Sequence, residues 1–251
     1  MTNGTNVTVP EAPAPVVNIT YGPPAFPDLE PFFAGNHQFA ADRNATDPNY
    51  FPKMAEGQAP PLVWVGCADS RVPESVVLHQ EPGQVFTTRN IANQVPEDDW
   101  ASNAVIDYGV GHLNSTHVAI VGHTHCGGVK AAFDSKKPNA TTGQGKHHRC
   151  KGKGHGKHGD DEDDDDEREE DHALMQFLEP LIELRHTLPS TATIMDLTLE
   201  NVKLNVATVV NSTAIQAAWA MGKSVCVHGW LYDIGTGLLS DIGVSKCGPT
   251  A

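Results

Sequence analysis

Long apolar runs are missing from this 251-residue sequence. None approaches the roughly 18 consecutive apolar residues that a membrane-spanning helix needs, so an integral helical membrane protein is excluded. Basic residues are scarce: 17 Lys and Arg stand against 31 Asp and Glu, a formal net charge of −14. That balance argues against broad contact with nucleic-acid phosphates. Five cysteines are too few for a disulfide-built scaffold. The length already allows a large core, so the cysteines are expected to serve chemistry more than folding. A secretion signal is also lacking, since Met1-Thr2-Asn3-Gly4 is polar and has no apolar h-region. What remains is 39% hydrophobic and 19% charged, ordinary for a soluble globular protein.

Sequons, by contrast, are abundant. Seven of the 14 Asn start an Asn-x-Thr triplet: Asn3, Asn6, Asn18, Asn44, Asn114, Asn139 and Asn211. This surplus reads as a chain shaped by a glycosylating secretory pathway, and the expectation is a mature, secreted, extracellular glycoprotein with an added start Met.

Residues 1–28 hold six Pro and three sequons without apolar periodicity, which reads as a loosely ordered arm before a catalytic domain over 29–251. The apolar spacing from Leu29 to Met54 suits short helices broken at Pro48 and Pro52. Strands are expected at 62–66, 84–88, 117–122 and 224–232, with helices at 100–113, from Val129, at 174–188 and at 197–221. Alternating short strands and helices predict an α/β fold with a mainly parallel central sheet flanked by helices. The segment 143–172 interrupts that rhythm with 6 Lys/Arg, 11 Asp/Glu and five His, a low-complexity insert that cannot bury a core.

Two motifs fall at the carboxyl ends of predicted parallel strands, where open α/β sheets place their ligands. The first is Cys67-Ala68-Asp69-Ser70-Arg71 and the second His123-Thr124-His125-Cys126-Gly127-Gly128. Cys67, His123 and Cys126 offer two thiolates and one imidazole, a soft donor set suited to tetrahedral Zn²⁺. Three protein ligands with one open position is the pattern of a catalytic zinc. His125, His79 and, more sharply, Asp69 are candidates for the fourth position.

These paired motifs resemble the zinc site of the β-class carbonic anhydrases. Gly57-Gln58-x-Pro60, Arg89-Asn90-Ile91-Ala92-Asn93, Gln216-x-x-Trp219 and Val227-His228-Gly229-Trp230-Leu231-Tyr232-Asp233 extend the resemblance. It spans about Leu29 to Val244, leaving out the insert. The resemblance implies reversible hydration of carbon dioxide to bicarbonate and a proton by zinc-bound hydroxide, with one Zn²⁺ per subunit. It further implies that Asp69 accepts a hydrogen bond from the zinc-bound solvent while Arg71 holds Asp69 off the metal. Gln58 resembles a substrate-contacting Gln supplied by the neighbouring subunit, and the Gly127 amide would approach bicarbonate. Phe86, Ile91 and Tyr108 match the apolar wall of the CO₂ pocket, with plain core packing as the competing reading. A site between subunits implies a homodimer or a tetramer of dimers. Trp64, Arg89 and Tyr232 match positions that bind regulatory bicarbonate in one subgroup, although Gln58 belongs to another.

Two further functions remain open from the sequence. Hydrolysis of carbonyl sulfide or carbon disulfide uses the same fold and zinc ligands, and a side-by-side turnover assay separates it from CO₂ hydration. A secreted zinc-capturing protein would use the insert and hold more than one zinc per chain. Finally, Cys226 and Cys247 flank Gly235-Thr236-Gly237 symmetrically. A hairpin centred between Thr236 and Gly237 would set them opposite each other within disulfide range. Cys150, in the insert, is left over.

Overall fold

The computed structural model describes Gly22 and residues 25–136 and 172–248. Most of the arm, the insert up to residue 171, Cys150 and the sequons at Asn3, Asn6, Asn18 and Asn139 lie outside the described residues. The chain divides into two units at Gly57–Gln58.

The first unit holds α1 (Glu30–Thr46) and α2 (Tyr50–Glu56). The break between them falls at Pro48 as expected, but Pro52 does not end a helix. It sits in the first turn of α2, where a missing N–H costs nothing. The two helices meet through aromatic edges, Phe39 against Phe51 at 6.0 Å, and the Arg43 guanidinium lies 5.4 Å from the rings of Phe39 and Tyr50. Neither helix buries a residue fully.

The second unit is built on β1 (Leu62–Cys67), β2 (Val85–Asn90), β3 (His117–His123), β4 (Cys226–Asp233), β5 (Leu238–Asp241) and β6 (Lys246–Cys247). Strand order is β2-β1-β3-β4-β5, with β6 also on β4. The first four strands run parallel, and β5 and β6 return antiparallel. Helices α3 (Glu74–Val77), α4 (Trp100–Asp107), α5 (Gly127–Asp134), α6 (His172–Phe177), α7 (Glu179–Thr187), α8 (Ile194–Asn211) and α9 (Thr213–Ala220) complete it.

One sheet face carries Val63, Val65, Val118, Ile120 and Val227, the alternate positions of three adjacent strands. Against them α8 sets Val202, Val206 and Val209, spaced by four and three residues and hence on one stripe. Each fully buried side chain of this kind is worth about 1.5 kcal/mol or more of apolar transfer. The other face holds Trp64, Ala119, Val121 and Tyr232.

Helix ends account for two differences from the sequence reading. The stretch expected as one helix over 197–221 begins at Ile194, where Thr193 and Asp196 form a reciprocal capping box. It then breaks at Ser212, which leaves helical geometry and caps α9 through its hydroxyl. Likewise, 174–188 divides at Leu178, and Pro180 enters α7 at its first turn.

The bridge between Cys226 and Cys247 is present, with Cα atoms 4.0 Å apart. The geometry behind that expectation needs correction. Trp230 pairs with Asp241 and Asp233 with Leu238, so the hairpin is centred one residue earlier, between Gly235 and Thr236. The Ile242 amide donates to Gly229 O, and Lys246 pairs with Val227, leaving Gly243, Val244 and Ser245 opposite His228 alone. Two extra residues shift the register without changing which face each side chain takes, since the strand period is two. Gly243, at φ +77°, takes up the bend.

Candidate active site

Connections leave β1 toward β2 on one side and β3 toward β4 on the other, so the sheet's switch point lies between the carboxyl ends of β1 and β3. Cys67 is the last residue of β1 and His123 the last of β3. Cys126 follows a tight turn and stands at the N-cap of α5. All three are buried, and their ligand atoms lie within 4.8 Å of one another. The two sulfurs are 3.9 Å apart. Neither His79 nor His125 joins the group; the His125 carbonyl instead accepts from Arg71 Nη2 at 3.2 Å.

The His123 ring is fixed from behind. Its Nδ1 donates to Thr124 O at 2.9 Å, which leaves Nε2 as the unprotonated nitrogen, buried and with no hydrogen-bond partner. Thr124 is itself locked, its hydroxyl donating to Asp233 and accepting from the Ile234 amide. The thiols share their proton unequally. A hydrogen bond from Cys126 pulls Cys67 far below the ordinary thiol range, whereas that same bond and burial push Cys126 up. Burial works against a charged His123, but the adjacent Cys67 sulfur and its charge outweigh it and raise the imidazole. An unpartnered imidazole nitrogen and a thiol pair already halfway to thiolate are what a divalent cation would complete, and the residues fit zinc.

Asp69 stands at the rim. Arg71 grips its carboxylate at two points, Nε to Oδ1 at 2.9 Å and Nη2 to Oδ2 at 2.6 Å, and the Arg71 amide adds a third bond at 2.9 Å. Those Arg71 hydrogen bonds drive the Asp69 carboxyl well below the usual range. Oδ2 remains 4.0 Å from His123 Nε2.

Arg89 reaches across from β2 and donates to Cys67 O at 2.8 Å and Asp69 O at 2.5 Å, with Glu74 3.9 Å away. Trp64 and Tyr232 share one buried cluster. Phe86 stacks on Tyr108 at 5.8 Å. Tyr108 is 48% exposed and Ile91 37%, so neither is plain core. Gly127 opens α5 with nothing within 4 Å of its Cβ direction, while a Cβ on Gly128 would meet Ile91 Cγ2 at 2.5 Å. Gln58 is exposed on the segment leading into β1.

Sequence reasoning missed the residues that hold the site's wall. Ala92 and Asn93 adopt left-handed geometry, φ +59° and +50°. Asn201 Nδ2 donates to Ala92 O at 2.9 Å, Gln94 Nε2 donates to Ala92 O and Asn201 Oδ1, and Asn205 Oδ1 accepts from the Val95 amide. The available signal was two Asn four residues apart, Asn201 and Asn205, on a mostly apolar buried stripe of α8.

Fold and site together define a class: an α/β enzyme with a buried Cys₂His centre at the switch point of a parallel sheet. The sequence model of the carbonic anhydrase family matches residues 62–239. A carbonic anhydrase of Emericella nidulans is 32% identical over 212 residues, 84% of this chain and 82% of that protein. A tetrameric β-carbonic anhydrase of Sordaria macrospora superposes with a TM-score of 0.68 at 29% identity, covering 87% of this chain and 98% of the other. The Coccomyxa β-carbonic anhydrase, solved with acetazolamide, gives 0.72 at 28% identity over 89% and 90%. This chain belongs to the β-class carbonic anhydrase family. It is a carbonic anhydrase, and the family's reaction is the interconversion of carbon dioxide and bicarbonate.

Proposed function

We propose that Cys67, His123 and Cys126 hold one Zn²⁺ per subunit and that CO₂ is hydrated beside it. The observation that carries this reading is the buried donor triangle, with His123 Nε2 left unpartnered and Asp69–Arg71 fixed at its edge. Bound zinc supplies hydroxide near neutral pH by lowering the pKa of a water toward about 7. Asp69, ionised across the neutral range, accepts a hydrogen bond from the attacking solvent and orients its lone pair. Arg71 keeps that carboxylate from turning into the ligand triangle, and Arg89 fixes the backbone from Cys67 to Asp69. The Gly127 amide, at the first position of α5, favours the developing bicarbonate anion. Phe86, Ile91 and Tyr108 form an apolar wall for CO₂.

Exposed Ile91 and Tyr108 suggest that the wall is finished by another subunit, with Gln58 contributed across the interface of a homodimer or tetramer. Regulatory bicarbonate at Trp64, Arg89 and Tyr232 has less support, because Arg89 already gives Nε and Nη2 to the Cys67–Asp69 backbone and its Nη1 faces Glu74. Secretion and glycosylation are supported by the disulfide and by the sequons in the described residues, since Asn44, Asn114 and Asn211 are all exposed.

Stopped-flow hydration of CO₂ by the purified protein tests the proposal. Activity should fall with zinc content on chelation and return with added Zn²⁺. Full hydration activity in zinc-free protein would overturn it.

A further inference from the structure

A second group of ligand-type side chains lies at the opposite end of the sheet. His117 opens β3 and His228 stands on β4, diagonal neighbours on one face beside the pair His117–Cys226. His117 Nδ1 and His228 Nε2 face each other at 2.9 Å. The nitrogens of two imidazoles on one zinc stand about 3.3 Å apart, given Zn–N bonds of about 2.0–2.1 Å. Only a small ring movement separates the two arrangements. The Cys226 sulfur completes the triangle, all three ligand atoms lying within 4.8 Å of one another.

The outer partners also suit a metal. His228 Nδ1 meets Ser245 Oγ at 3.0 Å, and Ser245 Oγ donates to Asp241 Oδ2 at 3.4 Å. Metal-bound histidines ordinarily pass their second ring N–H to such a partner, which fixes the ring. Ser245 reaches His228 only because three residues stand opposite His228 in the β4–β6 pairing. Burial, and then the charge of His117, lower the His228 pKa and favour the neutral imidazole that a metal needs.

We propose that His117 and His228 form a second site for Zn²⁺ or a similar late first-row divalent ion, completed by the Cys226 thiolate when the Cys226–Cys247 bridge opens. With the bridge closed the site has two imidazoles and is weak. Opening is a thiol–disulfide exchange: two thiols give two electrons and two protons to the sulfurs and leave as their own disulfide. The Cys226 thiol then releases its proton to solvent as it takes the cation. Two nitrogens and one thiolate make a set that suits zinc. The cystine therefore sets the affinity of a site remote from the catalytic triangle.

Calorimetric titration of Zn²⁺ into the folded protein, catalytic zinc already in place, tests this. Wild type, His228→Ala, Cys247→Ser and the double variant are compared, and retained CO₂ hydration confirms folding. Wild type should bind one additional zinc that His228→Ala loses. Cys247→Ser, which frees Cys226 without a reductant, should bind it at least tenfold more tightly, and the double variant should lose that gain. Zinc taken up by the histidines of 143–172 persists in His228→Ala and cancels in the comparison. The proposal is overturned if His228→Ala titrates like wild type, or if Cys247→Ser binds no more tightly. Should Cys247→Ser fail to fold, the wild-type and His228→Ala pair still decides the two-histidine site.

Discussion

Asp69 stands between two claims, with Arg71 Nη2 2.6 Å from its Oδ2 and His123 Nε2 4.0 Å from the same oxygen. The guanidinium holds by two parallel hydrogen bonds, a geometry that lysine cannot reproduce. Removing it frees a carboxylate to turn toward the ligand triangle. Arg71→Ala should therefore keep zinc and lose about 10- to 100-fold in kcat/KM, with Arg71→Lys only partly restored. Asp69→Ala should likewise keep zinc yet lose hydration. Elemental analysis beside stopped-flow turnover checks both, and unchanged turnover in either variant contradicts the assignment.

The same ion pair sets an expectation for pH. A carboxyl held below its ordinary value stays ionised across the neutral and mildly acidic range, and its contribution to stability is present above the unfolded value of about 3.9. It is lost only as pH falls further, through the depressed value. Any loss of activity between pH 8 and 5 thus belongs to other groups. The pH–rate profile of Asp69→Glu should keep the wild-type midpoint in that window; a shifted midpoint would show that the carboxylate titrates there.

Zinc retention is the sharper test of the donor triangle. Cys126→Ser replaces a thiolate with a neutral hydroxyl and leaves Cys67 without its 3.9 Å partner. Most bound zinc should be absent from the purified variant. Full occupancy by elemental analysis would remove Cys126 from the centre.

The wall of the site makes a prediction far from the metal. Asn201 is fully buried and serves Ala92 O, Gln94 and Asn205 together. Asn201→Ala leaves these groups short of partners and should cost about 2 kcal/mol in urea unfolding. Ala92 and Asn93 would also lose support for their positive φ, so activity should fall about tenfold with zinc unchanged. A variant as stable and active as wild type would make the amide network incidental.

The triangle was legible in the sequence because Cys67 and His123 close their strands and Cys126 follows in the next turn, and strand ends announce themselves by an apolar run stopping at a polar turn. The Asp69–Arg71 pair was legible for a similar reason: both partners lie in one short motif. The Arg89 contacts and the Asn201–Gln94–Ala92 network were not, since they join residues 20 to 109 positions apart through tertiary packing. Helix breaks at Ser212 and Leu178 escaped the periodicity, because apolar spacing continues through both: the Ser212 hydroxyl caps the helix that follows it, and Pro180 lies in the first turn after Leu178. Pro52 misled in the opposite direction, a proline at a helix start having been read as a stop.

The disulfide joins right pairing to altered register, and this fixes what its loss should do. Cys226 begins β4, whereas Cys67 and His123 end β1 and β3, so bridge and donor triangle occupy opposite ends of parallel strands. Breaking the bridge should leave catalysis alone. It closes a loop across 21 residues, a constraint worth about 3 kcal/mol in the chain-entropy model. Among the described residues the β4–β6 ladder is only Cys226 and Val227, extended by the Gly248 amide to Val225 O, so the covalent link carries much of the hold on that end. Cys247→Ser should lower the melting temperature by about 6–12 °C for a domain of this size, with kcat/KM within twofold of wild type. Differential scanning calorimetry with a parallel turnover assay decides. An unchanged melting temperature would mean that the hairpin register alone secures the strand, and a large loss of turnover would mean that the two ends of the sheet are coupled.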